Sequence, residues 1–492
     1  MTFYYQALCA GAGLCLLLLS GCFNSAEPIN EAASESSTVK PNIIYILADD
    51  LGYGDLSCYG QTRFSTPNID RLAANGMLFT QHYSGATVCA PSRSALLTGQ
   101  HTGHTFIRGN YEIQPEGQYP IPDETNTMAE ALKDAGYVTG AFGKWGLGYP
   151  GSEGDPNKQG FDTFYGFNCQ RLGHHYYPDH LWSNQDSIVL EGNSGLNKES
   201  YAPDMIHDQT MAFLEEHKDT SFFLYVPSII PHAELIAPDS ILAEYEGNFQ
   251  PEKPYEGVDS GPEYRKGKYG SQPTPHAAFV AMIRILDRQV GEIVQRVEEL
   301  GIADNTLIIF TSDNGPHREG GADPDYFDSN GIYRGTKRDL YEGGIHVPMI
   351  ASWPGKIEAG SRTDHVSAFW DVFPTLANLA GAEPPSATDG ISMVPTLLGQ
   401  GEQEQHEYLY WEFHEKGGRQ AVRKGDWKAV RYNVKKNPDS NVQLYNLKND
   451  PGEKTDIALE HPAVEQELRL IMDNARTPSE VFSFGQEAYK GD

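Results

Sequence analysis

The chain has 492 residues, 39% hydrophobic and 11% aromatic, enough to bury a large core as one big domain with a smaller annex. Thirty-seven basic residues against sixty-seven acidic ones give a formal charge of −30, which sets aside nucleic acid and anionic membrane surfaces as partners. An anionic small substrate therefore needs a locally positive pocket, and fifty Gly with thirty-one Pro predict many loops.

In chain order, residues 1–22, MTFYYQALCAGAGLCLLLLSGC, hold a short apolar run ending in LLSGC. The run resembles the lipobox of bacterial lipoprotein signals, with Cys22 as the lipid-bearing residue after cleavage, and is short for a transmembrane helix. No Lys or Arg precedes it, so an uncleaved membrane anchor is the alternative. Residues 23–39 are small, polar and acidic and read as a disordered tether. The expected location is the periplasm or cell surface, lipid-anchored to a bacterial membrane. Loss of Cys9 and Cys15 with the signal and acylation of Cys22 leave Cys58, Cys89 and Cys169, an odd number for an oxidising compartment. Cys58 and Cys169 either pair or stay buried thiols, and Cys89 needs its own explanation.

PNIIYILADD (41–50) is a continuous apolar run with β-branched residues ending in two acids, the pattern of a buried parallel strand. In VCAPSRSALLTG (88–99), Pro91 fits a first helical turn and Gly99 a helix end, which puts Cys89 at or just before a helix N-terminus. TMAEALKDAGY (127–137) is helical, and residues 247–276 lack periodicity and predict a long surface loop lining a cleft. Residues 277–301 form an amphipathic helix with Ile283, Leu286, Val290, Val294, Val297 and Leu300 on one face, and TLIIFTSDNG (306–315) repeats the design of the first strand. Alternating strands and helices imply a doubly wound α/β sheet, whose ligands gather at the carboxyl ends of strands, where Asp49, Asp50, Asp313 and Asn314 fall. From about 405 the sequence alternates as antiparallel strands and closes with a helix over 461–475, a small α+β subdomain. The expected organisation is a signal (1–22), a tether (23–39), a catalytic domain (40–400) and a C-terminal subdomain (401–492) contributing to the substrate pocket.

Asp49, Asp50, Asp313 and Asn314 supply four hard oxygen ligands without thiolate or imidazole, which suits Ca²⁺ or Mg²⁺ better than Zn²⁺. Acids at strand ends also cap helices or face water. A helix N-terminus favours an anion, so Cys89 fits either a thiolate nucleophile or a buried, inert thiol.

CAPSRSALLTG resembles the signature of the formylglycine-dependent sulfatases: Cys, any residue, Pro, any residue, Arg, with a downstream TG. PNIIYILADDLGYGDLSCYG (41–60), TPNIDRLAANGMLFT (66–80), GYVTGAFGKWGLG (136–148), SDNGP (312–316), GTKRDLYEGGIHVPMIASWPG (335–355) and DVFPTLANLAG (371–381) resemble the family's blocks in the family's order, over about 41–480. The resemblance implies an alkaline-phosphatase-like α/β fold, doubly wound with a largely parallel sheet flanked by helices, plus a smaller C-terminal α+β subdomain with an antiparallel sheet. It implies that Cys89 is oxidised by a formylglycine-generating maturation enzyme, with Pro91 and Arg93 serving recognition by that enzyme as well as the site. Asp49, Asp50, Asp313, Asn314 and the modified Cys89 look like the ligands of one Ca²⁺, with Mg²⁺ the second choice. Arg93 resembles the Arg that hydrogen-bonds the formylglycine hydrate, Lys144 and Lys337 resemble the sulfate-contacting lysines, and His232 resembles the general acid beside the leaving oxygen. In such a site one hydroxyl of the hydrate, activated by the metal and Asp313, attacks sulfur and the alcohol leaves. The second hydroxyl then loses its proton and collapses to the aldehyde, expelling sulfate with C–O cleavage. Fixed cations around the anion and a proton for the alkoxide make this physically coherent.

Two positions depart from the family. Many members carry His after GKW where this chain has Gly146, with His174, His175 and His180 as candidate replacements, and His346 stands where Arg is common and reads either as a support to the groups that touch substrate or as structural. For sugar binding, residues 165–182 and 410–427 supply rings and polar groups, and the candidates are Gln170, Arg171, His174, His175, His414 and Arg419. The expected activity is sulfate removal from a sulfated oligo- or polysaccharide, with O-sulfated galactose or N-acetylgalactosamine as the leading candidates. The alternatives are a phosphodiesterase or phosphonate hydrolase of the same superfold and a non-catalytic glycan-binding lipoprotein. Retention of Cys89, Arg93, Lys144, Lys337, Asp313 and His232 together argues against simple binding.

Overall fold

A computed structural model describes residues 40–385 and 387–485; the expected signal, Cys22 acylation and tether lie outside the described residues. At its centre is β1 (Asn42–Ala48), seven residues that are all buried. Its alternate side chains enter two separate cores. Ile44 and Ile46 pack with Ile283, Leu286 and Val290 of the helix Pro275–Glu299, while Ile43, Tyr45 and Leu47 pack with Leu96, Leu97 and Leu376 on the opposite face. A strand covered by helices on both sides has no polar face, so its sequence is an unbroken apolar run. Each such side chain contributes about 1.5–3 kcal/mol by leaving water.

Around it the chain adds β2 (Met77–Tyr83), β3 (Val138–Lys144), β4 (Thr163–Phe167), β5 (His180–Ser183), β6 (Asp186–Val189), β7 (Phe222–Pro227), β8 (Thr306–Ser312), β9 (His346–Ser352), β10 (Ser361–Thr363) and β11 (Ser367–Ala368). Among the described residues the sheet runs β10-β2-β9-β8-β1-β7-β3-β4-β5-β6, with β11 also paired to β2. The pairs β8-β1, β1-β7, β7-β3 and β3-β4 are parallel, so their carboxyl ends share one edge. β9 is antiparallel to both β8 and β2. β2 therefore ends at that same edge and β9 begins there, which delivers the loops before both Cys89 and His346 to it.

The change of texture near 405 corresponds to a second sheet, β12 (Leu409–Phe413), β13 (Arg419–Lys424), β14 (Trp427–Tyr432) and β15 (Val442–Asn446), an antiparallel meander. One face carries the helix Pro462–Asn474 through Leu468 and Met472. The other buries Trp411, Ala421 and Val430 against Tyr83, Val88 and Trp370 of the main body. The predicted helix over 277–301 starts two residues earlier, at Pro275, because proline's fixed φ and missing N–H suit a first helical position. Cys58 and Cys169 are both free thiols.

A buried ion network also joins the two sheets. Lys428 Nζ donates to Glu342 Oε1 at 2.7 Å and lies 3.2 Å from Glu453 Oε1, all three side chains being out of contact with water. Glu453 in turn accepts the Glu342 backbone N–H at 2.6 Å. Removing the single cation leaves two buried carboxylates unneutralised, a loss of about 3–5 kcal/mol. Lys428→Met should accordingly lower the unfolding free energy by that amount, read as a denaturant midpoint at lower concentration, and an unchanged midpoint would contradict the bridging role.

Candidate active site

Every charged group of the site sits at the shared carboxyl edge. Asp49 and Asp50 follow β1 directly, Asp313 and Asn314 follow β8, and Lys144 is the last residue of β3. Two consecutive strand residues point to opposite faces. Asp50 escapes this with a left-handed backbone (φ 65°), a conformation Asp tolerates, so both carboxylates turn toward one site. The turn is fixed by Asp50 N–H donating to Asp313 Oδ1 at 3.0 Å and by Leu51 N–H donating to Ser312 Oγ at 2.9 Å.

Cys89 opens the helix Cys89–Thr98, all ten residues of which are buried, and Gly99 ends it in the left-handed region with φ 68°. Ala90 N–H, at the first turn, donates to Asn110 Oδ1 at 3.2 Å. The Cys89 thiol donates to Asp49 Oδ1 at 3.3 Å and receives a contact from Lys144 Nζ at 3.6 Å. Burial and the Asp49 charge push this thiol up, against the pull of Lys144 and Lys337.

Three cations interleave with three carboxylates. Lys144 Nζ lies 2.6 Å from Asp49 Oδ2 and Lys337 Nζ 2.8 Å from Asp50 Oδ2. Arg93 donates from Nε and Nη2 to Asp313 Oδ2 at 3.2 and 2.9 Å and from Nη1 to the Lys144 carbonyl, so its guanidinium is held at three points. Burial alone would raise Asp49, but Lys144 and the other neighbouring cations override it and hold the group well below the usual carboxylate range. Asp313 is different: burial and the Asp49 charge outweigh Arg93 and raise it to about 7.

The donor set fits a hard divalent cation. Asp49, Asp50, Cys89 and His232 bring ligand atoms within 4.8 Å of one another. Asn314 Nδ2 donates to Asp50 Oδ1 at 2.6 Å and to the Gly315 carbonyl at 2.9 Å, while its Oδ1 is buried with no hydrogen-bond partner. The opposite amide orientation would set that oxygen against the Asp50 carboxylate, so a buried lone-pair donor is left unpaired on a residue that touches Asp50, which fits an oxygen-liganded divalent cation.

His232 is a neutral imidazole here. Its Nδ1 donates to the Ala233 carbonyl at 2.5 Å, and Nε2 faces Lys337 Nζ at 2.9 Å and Asp50 Oδ2 at 3.3 Å. Burial and the Lys337 charge push it down to about 4. The expected acid thus carries no proton of its own at Nε2; the proton there belongs to the Lys337 ammonium, and the two residues act as one donor pair. His232 is stacked between His174 (centroids 4.3 Å apart, planes 8°) and His317 (5.5 Å, 15°).

A cleft of about 250 Å³ opens above Cys89, His232 and Lys337. Gln170, Arg171 and His174 line it as expected, together with residues that sequence reasoning missed: Asn110, Gln118, Tyr269, Glu319 and Arg338. Arg338 lies inside the matched block 335–355, next to Lys337, and Glu319 three residues after SDNGP; the two pair at 2.5 Å on the rim, so closeness to the matched residues was an unused signal. Tyr269 comes from the loop expected to line a cleft; Gln118 had no pattern to find it by. Arg171 is already committed, holding Glu112, the Pro115 carbonyl and the Lys266 carbonyl. The structure does not bring His175, His414 or Arg419 to this cleft. His175 Nε2 accepts the Gly267 N–H at 2.8 Å. His414 pairs with Glu412 at 2.7 Å against Phe484, and Arg419 binds Asp339 at 2.7 Å behind Arg338. His180 pairs with Glu116 and Asp179, and His346 bonds Glu342 and the Thr80 carbonyl, a structural place as expected.

A family model described as Sulfatase matches residues 41–382, and one described as N-sulphoglucosamine sulphohydrolase, C-terminal, matches 331–477. An N-acetylgalactosamine-6-O-sulfatase of Bacteroides thetaiotaomicron is 32% identical over 539 residues, covering 94% of this chain and 97% of the relative. The crystal structure of Ps i-CgsB is similar at a TM-score of 0.74 and 30% identity, over 89% of this chain and 92% of that one. Its complex with k-i-k-neocarrahexaose gives a TM-score of 0.73 at 30% identity, over the same shares of the two chains.

The cation fit has a direct thermal consequence. A ligand that binds only the folded state stabilises it by about 2.7 kcal/mol at one hundred times its Kd. Calcium added to chelator-treated protein should raise the melting midpoint, and Asp50→Asn should remove most of the gain. Equal midpoints in Ca²⁺ and chelator would rule the ion out.

Proposed function

The chain belongs to the sulfatase family, and we propose that it removes sulfate from a sulfated carbohydrate, using residue 89 in its oxidised, formylglycine form as the nucleophile. A single observation carries this: the Cys89 side chain lies at the floor of an open cleft, 3.3 Å from Asp49 and 3.6 Å from Lys144, with Lys337 and His232 beside it. Simple glycan binding gains nothing from burying three cations and three carboxylates around one small side chain, since each buried ion costs several kcal/mol.

A geminal diol at position 89 supplies one hydroxyl to take the sulfuryl group and a second whose deprotonation releases it. Asp49, Asp50, Asp313 and Asn314 would hold Ca²⁺, which when bound adds positive charge and Lewis-acid polarisation at the floor of the cleft. Lys144 and Lys337 face the sulfate with fixed charges that need no rearrangement as charge develops. Arg93 keeps Asp313 and the end of β3 in place through its three bonds. The Lys337–His232 pair offers its shared proton to the departing alcohol oxygen. The cleft, at about 250 Å³, lies just below the roughly 300–1,000 Å³ of drug-sized ligand sites, which suits one sulfated sugar residue. On its rim, Glu112 and the pair Glu319 with Arg338 present hydroxyl-reading groups.

Sulfated galactose or N-acetylgalactosamine is the proposed substrate class, supported by the relative named an N-acetylgalactosamine-6-O-sulfatase and the neighbour solved with a neocarrahexaose. The N-terminal sequence supports a lipid anchor at Cys22 and residence in the periplasm or at the cell surface. Cys22→Ala should accordingly move the protein from the membrane fraction to the soluble one.

Sulfate release should be measured on 4-O- and 6-O-sulfated galactose, N-acetylgalactosamine and glucosamine, with a phosphodiester as control. We expect release from at least one sulfate ester, none after Cys89→Ala, and a fall of about 10²–10⁴-fold in kcat for Lys337→Ala. Mass spectrometry of active protein should find the residue 89 peptide without its sulfur, and protein made without the maturation enzyme should retain Cys and be inactive. Hydrolysis of the phosphodiester alone would overturn the assignment.

A further inference from the structure

Gly146 lies two residues beyond Lys144, in the left-handed region at φ 83°, and a β-carbon built on it falls 1.8 Å from Gln170 Nε2. The space beside this backbone is therefore already filled by a carboxamide from another segment. Backbone bonds hold the two segments together, with Trp145 N–H donating to the Phe167 carbonyl at 2.8 Å and Gly146 N–H to the Asn168 carbonyl at 3.0 Å. Gln170 is only 5% exposed, lines the cleft with Cys89, His232 and Lys337, and has no hydrogen-bond partner in the protein for either Nε2 or Oε1. Leaving one buried polar group unpaired costs about 1–3 kcal/mol. A carboxamide orphaned at both ends and aimed into a cleft is accounted for when a ligand completes it.

Position decides which part of the ligand. The segment 144–146 starts at Lys144, whose Nζ touches Asp49 and Cys89, and the Gln170 head packs against the other end of that segment in the same cleft as Cys89, His232 and Lys337. The group bound there is a sulfate ester, whose oxygens only accept. Resting on the function proposed above, we infer that Gln170 is a sulfate-binding residue: Nε2 donates to a non-bridging sulfate oxygen, and position 146 is glycine to make room for it. Lys144 and Lys337 attract the anion as point charges; a planar amide adds direction.

The test measures kcat/KM and competitive inhibition by inorganic sulfate for wild type, Gln170→Leu and Gln170→Glu, on an ester that the wild type hydrolyses. Leucine keeps the volume and removes the donor, so kcat/KM should fall about 10- to 100-fold and inhibition by sulfate should weaken by a similar factor. Glutamate, which sets a like charge against the anion, should lose more. Gly146→Ala should cost the wild type more than it costs Gln170→Gly, a coupling that a general folding defect does not produce. Wild-type behaviour of Gln170→Leu would overturn the inference. So would a fall in kcat/KM with unchanged sulfate inhibition, because Gln170 would then read the sugar. A wild type that hydrolyses no ester would defeat the assigned function instead, and calorimetric titration of inorganic sulfate into wild type and Gln170→Leu would still decide the role of Gln170.

Discussion

Six buried charges at one strand edge constrain everything else in this molecule. Asp49, Asp50 and Asp313 meet Arg93, Lys144 and Lys337 with almost no access to water. Each ion taken from water alone would cost several kcal/mol, and only mutual pairing with near-ideal geometry recovers it. Rigidity follows, since no member can move without exposing its partner's charge to the interior. The cations are also fully used, each leaning on a carboxylate until something stronger claims that carboxylate. A divalent ion among the acids would turn a neutral cluster of three against three into one with two surplus positive charges, the balance an anionic ester requires.

The topology makes this clustering feasible. Three parallel strand pairs bring the ends of β1, β7, β3 and β8 together, and the antiparallel turn through β9 adds the loops that carry Cys89 and Lys337. The groups thus come from places up to 288 residues apart, Asp49 to Lys337, yet each is fixed by the end of a buried strand or by a loop bonded to one. The second sheet braces this frame from behind: Trp411 Nε1 donates to the Ser84 carbonyl at 2.9 Å, just ahead of the helix Cys89–Thr98.

Much of this was legible in the sequence, for reasons that differ by residue. A seven-residue apolar run with acids at its end can hardly be anything other than a doubly covered strand, so β1 and β8 and the carboxylates after them followed from pattern alone. The place of Cys89 at a helix N-terminus followed from Pro91 and Gly99, whereas its expected role came only from the resemblance of CAPSRSALLTG to the family signature. Gln170 was picked as a polar residue in an aromatic stretch, but its relation to Gly146 is a tertiary contact that no local pattern encodes. His414 and Arg419 carry the right chemistry on the wrong side: Glu412 and Asp339 engage them within the second sheet and its junction. His232 was recognised as a residue but not in its protonation state, which depends on the Lys337 ammonium arriving from 105 residues away.

The central claim, that the acids after β1 and β8 gather one hard cation against residue 89, is tested most directly by a crystal structure of the mature protein grown with Ca²⁺. One ion should appear in contact with Asp49, Asp50, Asp313 and the Asn314 Oδ1, adjoining an oxygen-bearing side chain at position 89. Carboxylates that remain paired only with Lys144, Lys337 and Arg93 at saturating Ca²⁺, beside an unmodified thiol, would contradict it.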